Sequence, residues 1–245
     1  MRAVILGGTK GMGRALARLM AERGDSLFLL GRNAEDLERS AADLTVRGAS
    51  LPVRSHECDL LDPDTFDEAL SAADDALHGF DTVIVTAGLF APQETLEGDV
   101  ELASRVVTAN FGNTMLFCEE ARKRLLRAGG GTLCVFSSVA GERGRKPQVI
   151  YGASKAGLSH YLEGLDHKFR GEGLKVVTVK PGFVKTGMTD GLPPPPFAGE
   201  PVPVAKRVLR AMDRGTPVVY APGAWRYVMG VIRLLPRAVM RRVKF

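Results

Sequence analysis

Residues 3–13 read Ala-Val-Ile-Leu-Gly-Gly-Thr-Lys-Gly-Met-Gly. Four apolar residues stop at Gly7, and Gly7, Gly11 and Gly13 then follow in a G-x-x-x-G-x-G spacing before an amphipathic stretch begins. An apolar run, punctuating glycines and a helical pattern read as a strand, a tight turn and a helix. Residues without a Cβ let the chain turn and let an anion approach the backbone. The free N–H groups and the dipole of the helix N-terminus then favour a pyrophosphate. Gly7, Thr9, Lys10, Gly11, Met12 and Gly13 are therefore candidates for holding a nucleotide.

The same alternation continues outward from this junction. Short aliphatic runs at 26–30, 52–57, 82–86, 132–137, 175–179 and 217–220 read as further strands. Helical patterns at 12–24, 34–48, 63–78, 98–128, 150–171 and 202–214 lie between them, and Gly24, Gly48 and Gly129 fall where helices stop. Near-continuous apolar strands separated by helices imply a parallel sheet covered on both faces. Right-handed crossovers then leave a Rossmann-type, doubly wound α/β sandwich of three layers and about seven strands. No internal repeat or linker interrupts it, and the proline run at 193–196 reads as a stiff stretch of surface loop. The expected organisation is one catalytic domain over 1–223, with a substrate lid at 183–203, followed by a C-terminal segment at 224–245.

Composition excludes other classes. The 245 residues are 45% hydrophobic and 25% charged, which is ordinary for a folded globular chain and not for a disordered one. Cys58, Cys118 and Cys134 are too scattered for a disulfide framework or a zinc site, and His56, His78, His160 and His167 have no metal-collecting spacing, so no metal is expected. No apolar run is long enough for a membrane span. The start in an apolar run and glycine loop leaves no room for a signal peptide, so a cytoplasmic location is expected. The net charge of +5 is unevenly placed, because 224–245 holds six basic residues and no acid, leaving −1 for the first 223 residues. A nearly neutral body argues against a nucleic-acid footprint.

The end of the second strand reads Leu30-Gly31-Arg32-Asn33, with no carboxylate before Glu35. A site selective for NAD places Asp or Glu there to hold the ribose 2′-hydroxyl, whereas Arg32, joined by Lys10, suits a 2′-phosphate and so NADP(H). Read without a ligand, Arg32 is a solvated loop residue. Ser138 lies just past the fifth strand, and Tyr151 and Lys155 stand four apart on one helix face. That set suits carbonyl reduction: the phenol protonates the oxygen, a neighbouring ammonium brings its pKa toward neutrality, and the serine aims the substrate. Ser137 is a second candidate for the serine role, although the 13-residue separation from Tyr151 favours Ser138.

These residues resemble the classical branch of the short-chain dehydrogenases/reductases over almost the whole chain, in order and at family spacing. The match takes in the glycine loop, Asp59-Leu60, Thr86-Ala87-Gly88, Asn110, Ser138, Tyr151-x-x-x-Lys155 and Pro181-Gly182-x-x-x-Thr186. The resemblance implies that Asp59, with Leu60, meets the adenine, and that Ala87 and Gly88 pack beside the adenosine ribose. Lys155 also bonds the nicotinamide ribose, and Asn110 holds a water that relays protons to it. Pro181, Gly182, Val184 and Thr186 cover the nicotinamide. It further implies a homodimer or homotetramer formed through the fourth helix and the Tyr151 helix, with Val106, Ala109, Asn113 and Phe117 as candidates for that face. Two departures stand out. Leu6 replaces the usual threonine before the loop, and Thr86 replaces an asparagine whose amide braces the central strands in relatives.

The function expected is an NADPH-dependent reductase of a ketone, or the reverse alcohol oxidation. The alternative is a non-catalytic NADP(H)-binding regulator on the same fold, a class that typically lacks the Tyr or Lys kept here. A membrane-peripheral structural protein is a third reading, resting on the tail alone. The 181–189 stretch and the basic tail are similar to those of bacterial reductases acting on polyprenyl-phosphoryl 2-keto-pentoses, and equally to less defined bacterial reductases. Lipid-linked keto-sugars, 3-ketoacyl thioesters and small ketones are all candidate substrates. In the tail, Trp225, Val228, Met229, Val231, Ile232, Leu235, Val239 and Met240 recur three or four apart among Arg226, Arg233, Arg237, Arg241 and Lys244. That pattern predicts either peripheral contact with an anionic membrane or packing over the cleft or a partner subunit.

Overall fold

In the computed structural model, which describes residues 1–243, strand and helix alternate from the first residues onward. β1 (Arg2–Leu6), α1 (Gly11–Glu22), β2 (Ser26–Gly31), α2 (Ala34–Val46), β3 (Arg54–Glu57), α3 (Thr65–Leu77) and β4 (Thr82–Val85) make the first half. After β4 come α4 (Gln93–Gly98), α5 (Val100–Val107), a π-helical turn (Thr108–Gly112), α6 (Asn113–Arg127) and β5 (Gly131–Phe136). A 3-10 turn (Val139–Glu142), α7 (Val149–Phe169), β6 (Leu174–Pro181), α8 (Pro201–Arg214), β7 (Val218–Ala221), α9 (Trp225–Leu234) and α10 (Arg237–Met240) complete the chain.

The seven strands form one sheet in the order β3-β2-β1-β4-β5-β6-β7, every neighbouring pair parallel. Alternate residues of each strand feed opposite cores. Ala3 and Ile5 join a cluster with Leu16, Met20 and Val208 beneath α1 and α8. Val4 and Leu6 join Leu70, Phe117 and Leu158 beneath α3, α6 and α7. The doubly wound sandwich is thus a direct consequence of two-faced strands. Connections run to opposite sides from β1 and β4, so a crevice opens at the carboxyl ends of that pair, where such sheets bind ligands.

The single helix expected over 98–128 is broken twice. Asp99 is extended (φ −136°) and its carboxylate accepts from Leu102 N at 2.9 Å, capping α5 as a fresh start. The π turn then widens the helix at Asn110, and Thr114 Oγ1 donates to the Ala109 carbonyl at 2.6 Å. The dimer-face candidates are corrected here. Val106, Ala109, Asn113 and Phe117 are all buried within the chain, and Asn113 Nδ2 donates to the Leu60 carbonyl at 2.8 Å. Val100, Val107 and Leu116 are the large apolar residues these helices turn outward.

The tail folds back on the body. Trp225, Met229 and Ile232 of α9 are buried against Val139, so three of the apolar residues expected to meet a membrane are already covered. Arg143 Nη2 donates to the Leu235 carbonyl at 2.8 Å and Lys146 Nζ to the Arg241 carbonyl at 2.7 Å, tying down the ends of α9 and α10. Lys244, counted among the tail's charges, lies outside the described residues. No helix among the described residues is long and apolar enough to cross a membrane.

Candidate active site

At the β1–α1 junction, Gly7 and Gly11 adopt positive φ of 94° and 54°. A Cβ on Gly7 would stand 2.6 Å from Ala87 N and 2.7 Å from Thr86 Oγ1, so only glycine fits between β1 and β4. Thr86 Oγ1 donates to the Gly7 carbonyl at 2.9 Å. Its hydroxyl thus braces the two central strands, and the replacement of asparagine costs no brace. α1 begins with no side-chain cap and no acid in its first turn, which leaves its N–H groups directed at the crevice.

That crevice is a cavity of about 340 Å³. Gly7, Thr9, Lys10, Gly11, Met12, Gly13, Arg32, Asp59, Leu60, Ala87, Gly88 and Thr186, all expected to hold the cofactor, line it. Thr86 and Met188 line it too, without having been expected to. Pro181, Gly182 and Val184 are not among its walls. The uncapped helix end, the glycine turn and Arg32 at the far side form a donor set that fits a dinucleotide. At the β2 end, Lys10 Nζ pairs with Asp36 at 2.7 Å, and Arg39 joins at 2.6 Å. These two partners hold the Asp36 carboxyl below its usual range. A carboxylate therefore does stand near this corner, contributed by the first turn of α2 and already engaged by cations.

The second part of the site adjoins the cavity at Gly88, where a Cβ would meet Asn110 Oδ1 at 2.9 Å and Lys155 Nζ at 3.5 Å. Asn110 is fully buried. Its Oδ1 accepts from Leu89 N at 2.8 Å and its Nδ2 donates to the Leu89 carbonyl at 2.7 Å. The amide thereby fixes the chain leaving β4, and both its ends are spent on Leu89. Lys155, also buried, donates from Nζ to the Phe136 carbonyl at 3.0 Å, and its Nζ lies 6.0 Å from the centre of the Tyr151 ring.

Ser138 sits in extended backbone as the cap of the 3-10 turn, its Oγ accepting from Ala140 N at 3.1 Å. Ser137 Oγ instead donates to the Lys155 carbonyl at 2.9 Å and meets Ser159 Oγ at 2.7 Å, which makes it a buried structural clip. Of the two serines, Ser138 is the one hydrogen-bonded to Tyr151. Two glycines bring this turn onto α7. A Cβ on Gly141 would lie 2.6 Å from the Lys155 carbonyl carbon, and one on Gly152 would lie 2.9 Å from the Ala140 carbonyl oxygen. Gln93 Oε1 accepts from Val149 N at 2.8 Å and Ile150 N at 3.2 Å, capping α7 from a distant helix. Phe90 stands edge-on to Tyr151 at 5.2 Å.

Burial pushes the Tyr151 phenol up to about 12, against the lowering effect of a hydrogen bond with Ser138. Burial also pulls the Lys155 ammonium down to about 8. The expected lowering of the phenol by the ammonium is absent in this arrangement, because desolvation dominates at both groups and Lys155 turns toward Phe136. The Tyr151 hydroxyl is thus held in its neutral form at neutral pH.

The sequence profile described as short chain dehydrogenase matches residues 1–195. An uncharacterized oxidoreductase of Mycobacterium tuberculosis is 36% identical over 241 residues, covering 98% of this chain and 96% of that protein. Carbonyl reductase family member 4 of Danio rerio is 30% identical over 244 residues, covering 95% of this chain and 98% of that protein. Among solved structures, a short-chain type dehydrogenase/reductase from Mycobacterium ulcerans superposes with a TM-score of 0.79 at 22% identity, over 89% of this chain and 86% of that one. This last likeness is one of fold.

Proposed function

The chain belongs to the short-chain dehydrogenase family, and from that premise we propose that it is a carbonyl reductase that takes NADPH and uses Tyr151 as its acid. Membership implies a nicotinamide cofactor, which when bound supplies the hydride. The chain's own residues do the rest. The uncapped N-terminus of α1 and the glycine turn receive the pyrophosphate, and Arg32 receives the 2′-phosphate. Asp59 and Leu60 meet the adenine, Ala87 and Gly88 the adenosine ribose, and Pro181, Gly182, Val184 and Thr186 close over the nicotinamide. An NADH reading would need Asp36 free for a ribose hydroxyl, and Asp36 is held by Lys10 and Arg39.

One observation carries the proposal: Tyr151 is hydrogen-bonded to Ser138, and Lys155, with its Nζ 6.0 Å from the centre of the Tyr151 ring, reaches Gly88 on the wall of the nucleotide cavity. Tyr151 Oη gives its proton to the substrate oxygen, while Ser138 Oγ donates a hydrogen bond to the same oxygen and aims the carbonyl. The ammonium of Lys155, once drawn from Phe136 toward the phenol, stabilises the phenolate that proton transfer leaves. Asn110 acts by fixing Leu89 and the floor beneath Gly88. A relative bearing the name carbonyl reductase supports the direction. The substrate class proposed is a ketone, small or carried on a lipid or thioester. The chain is further proposed to self-associate through the outer faces of α5, α6 and α7, where Val107 and Leu116 are exposed.

The test is oxidation of NADPH followed at its absorbance band with a panel comprising a small ketone, an acetoacetyl thioester and a lipid-linked keto-sugar. Consumption that depends on one of them and on Tyr151 supports the reading. Tight NADPH binding with no turnover on any of them identifies the non-catalytic regulator instead. A monomeric mass at micromolar concentration refutes the self-association.

A further inference from the structure

α9 is apolar on two opposite sides. One stripe, Trp225, Met229 and Ile232, is spaced i, i+4, i+7 and packs on Val139. The other, Tyr227, Val231 and Leu234, has the same spacing and faces solvent, with exposures of 78%, 63% and 84%. A surface helix normally keeps its outer side polar, so a second apolar stripe on a helix already anchored calls for something to cover it. Phe197, in the lid, is exposed beside this helix, and its carbonyl accepts from Trp225 Nε1 at 3.3 Å.

The cations beside the stripe say what covers it. Arg226 and Arg233 stand on one shoulder of α9 and also line a groove of about 1200 Å³ between α7, α8 and α9 along β7. From α8, Arg207, Arg210 and Arg214 line the same groove. Of its three carboxylates, Glu142 is taken by Lys180 and Arg233 and Asp166 by Arg170, which leaves Glu163 against the arginines. Among the described residues, Arg207, Arg210, Arg214 and Arg226 have no ion-pair partner. Past α9, Arg237, Arg241 and Arg242 are exposed as well, and 224–245 holds no acid.

We propose that this face, the outer stripe of α9 with its arginine shoulder and groove, docks reversibly on an anionic lipid surface. Tyr227, Val231 and Leu234 enter the headgroup layer while the arginines meet lipid phosphates. Charge complementarity decides between occupants. In a symmetric pair of chains meeting through this face, the arginine cluster would oppose its own copy. A nucleic acid would satisfy the arginines and leave the apolar stripe bare. A bilayer with anionic headgroups uses both. The inner stripe stays on Val139, so docking needs no unfolding of the tail, and it brings the lid side of the molecule to the membrane. The proposal goes beyond the reductase reading and holds whether or not that reading does.

The experiment is flotation of the full chain with vesicles of phosphatidylcholine alone or with added phosphatidylglycerol, at low and high salt. The wild type is expected to rise only with the anionic vesicles and to be released by salt. In a variant with Tyr227→Ser, Val231→Ser and Leu234→Ser, partitioning should fall about a hundredfold, taking roughly fivefold for each apolar side chain withdrawn. Arg226→Gln with Arg237→Gln should lower it roughly twentyfold and only on anionic vesicles. All five side chains are exposed, so the urea midpoint should stay at the wild-type value, which separates lost docking from lost folding. Wild-type protein that stays unbound at low salt overturns the proposal, as does a serine variant that floats as well as wild type. Serine substitutions that halve the solution mass without changing flotation also overturn it, and assign the stripe to a second copy.

Discussion

Replacing Lys155 by Met should make the protein more stable at neutral pH while removing the group proposed to hold the phenolate. The lysine is buried, and burial pulls its ammonium from 10.5 to about 8. That gap corresponds to about 3 kcal/mol of desolvation, present in full below pH 8, where both folded and unfolded chains carry the charge. Between about pH 8 and pH 10.5 the unfolded chain holds a proton that the folded chain has released, so the lysine's contribution to stability rises with pH across that window. Met removes the penalty but orphans the Phe136 carbonyl, which Lys155 Nζ engages at 3.0 Å, at a cost of about 1–2 kcal/mol. The variant should therefore gain about 1–2 kcal/mol at pH 7 and lose about 1 kcal/mol at pH 10, where little of the penalty is left. Burial raises the Tyr151 phenol and the Cys58, Cys118 and Cys134 thiols, and these destabilise the fold as pH climbs past their unfolded values. Both proteins carry those groups, so they cancel in the difference. The assay is urea unfolding of both proteins at the two pH values, followed by the emission of Trp225, the sole tryptophan. A wild-type-minus-variant difference that does not change between about pH 7 and pH 10 would refute the reasoning, because it would mean that the amine is solvated.

Tyr151→Phe should lower turnover by about a thousandfold and leave NADPH affinity near wild type, as checked by steady-state rates and cofactor titration. Ser138→Ala should lower kcat with little change in stability, whereas Ser137→Ala should cost about 1–2 kcal/mol in urea unfolding through its lost bonds to Lys155 and Ser159. Arg32→Ala should raise KM for NADPH about tenfold and leave that for NADH unchanged, and equal use of both cofactors by the wild type would sink the 2′-phosphate assignment. Gly182→Ala should cost about 1–3 kcal/mol, since the new Cβ overlaps the Trp225 indole, and the cost should largely vanish in a Trp225→Ala background, as a double-mutant cycle would report.

The strands and the nucleotide loop were legible in the sequence because their signals are local. β-branched runs, glycine stops and a glycine spacing all fall within a few residues, and all seven strands lie where the pattern puts them. What the sequence hid depends on pairs far apart in the chain. Thr86 reads as a missing amide until its hydroxyl is found on the Gly7 carbonyl. Asp36 reads as an ordinary first-turn acid of α2 until Lys10 is found against it. The four residues offered as a dimer face had the right spacing for one face of a helix, but periodicity alone does not say which side of that helix meets the sheet. Their burial shows that it is this one. The protonation of Tyr151 was equally out of reach, because proximity to a lysine and burial push it in opposite directions and only the packed structure tells which dominates.

The glycines outside the nucleotide loop carry a meaning that only packing reveals. Gly141 and Gly152 hold the Ser138 turn on α7, and Gly182 admits the Trp225 ring beside the strand end that leads into the 183–203 segment. Trp225 belongs to the same helical stripe as Met229 and Ile232, which cover Val139, the residue after Ser138. One helix therefore touches both the turn that holds the proposed substrate-aiming serine and the loop proposed to close over the nicotinamide. Met at 229 is fully buried and packs by shape, so shortening it loosens the Ser138 turn without touching any reacting group. The C-terminal segment, read from sequence as meeting either a membrane or the cleft or a partner subunit, packs its inner side on the residue after Ser138 and leaves its outer side exposed.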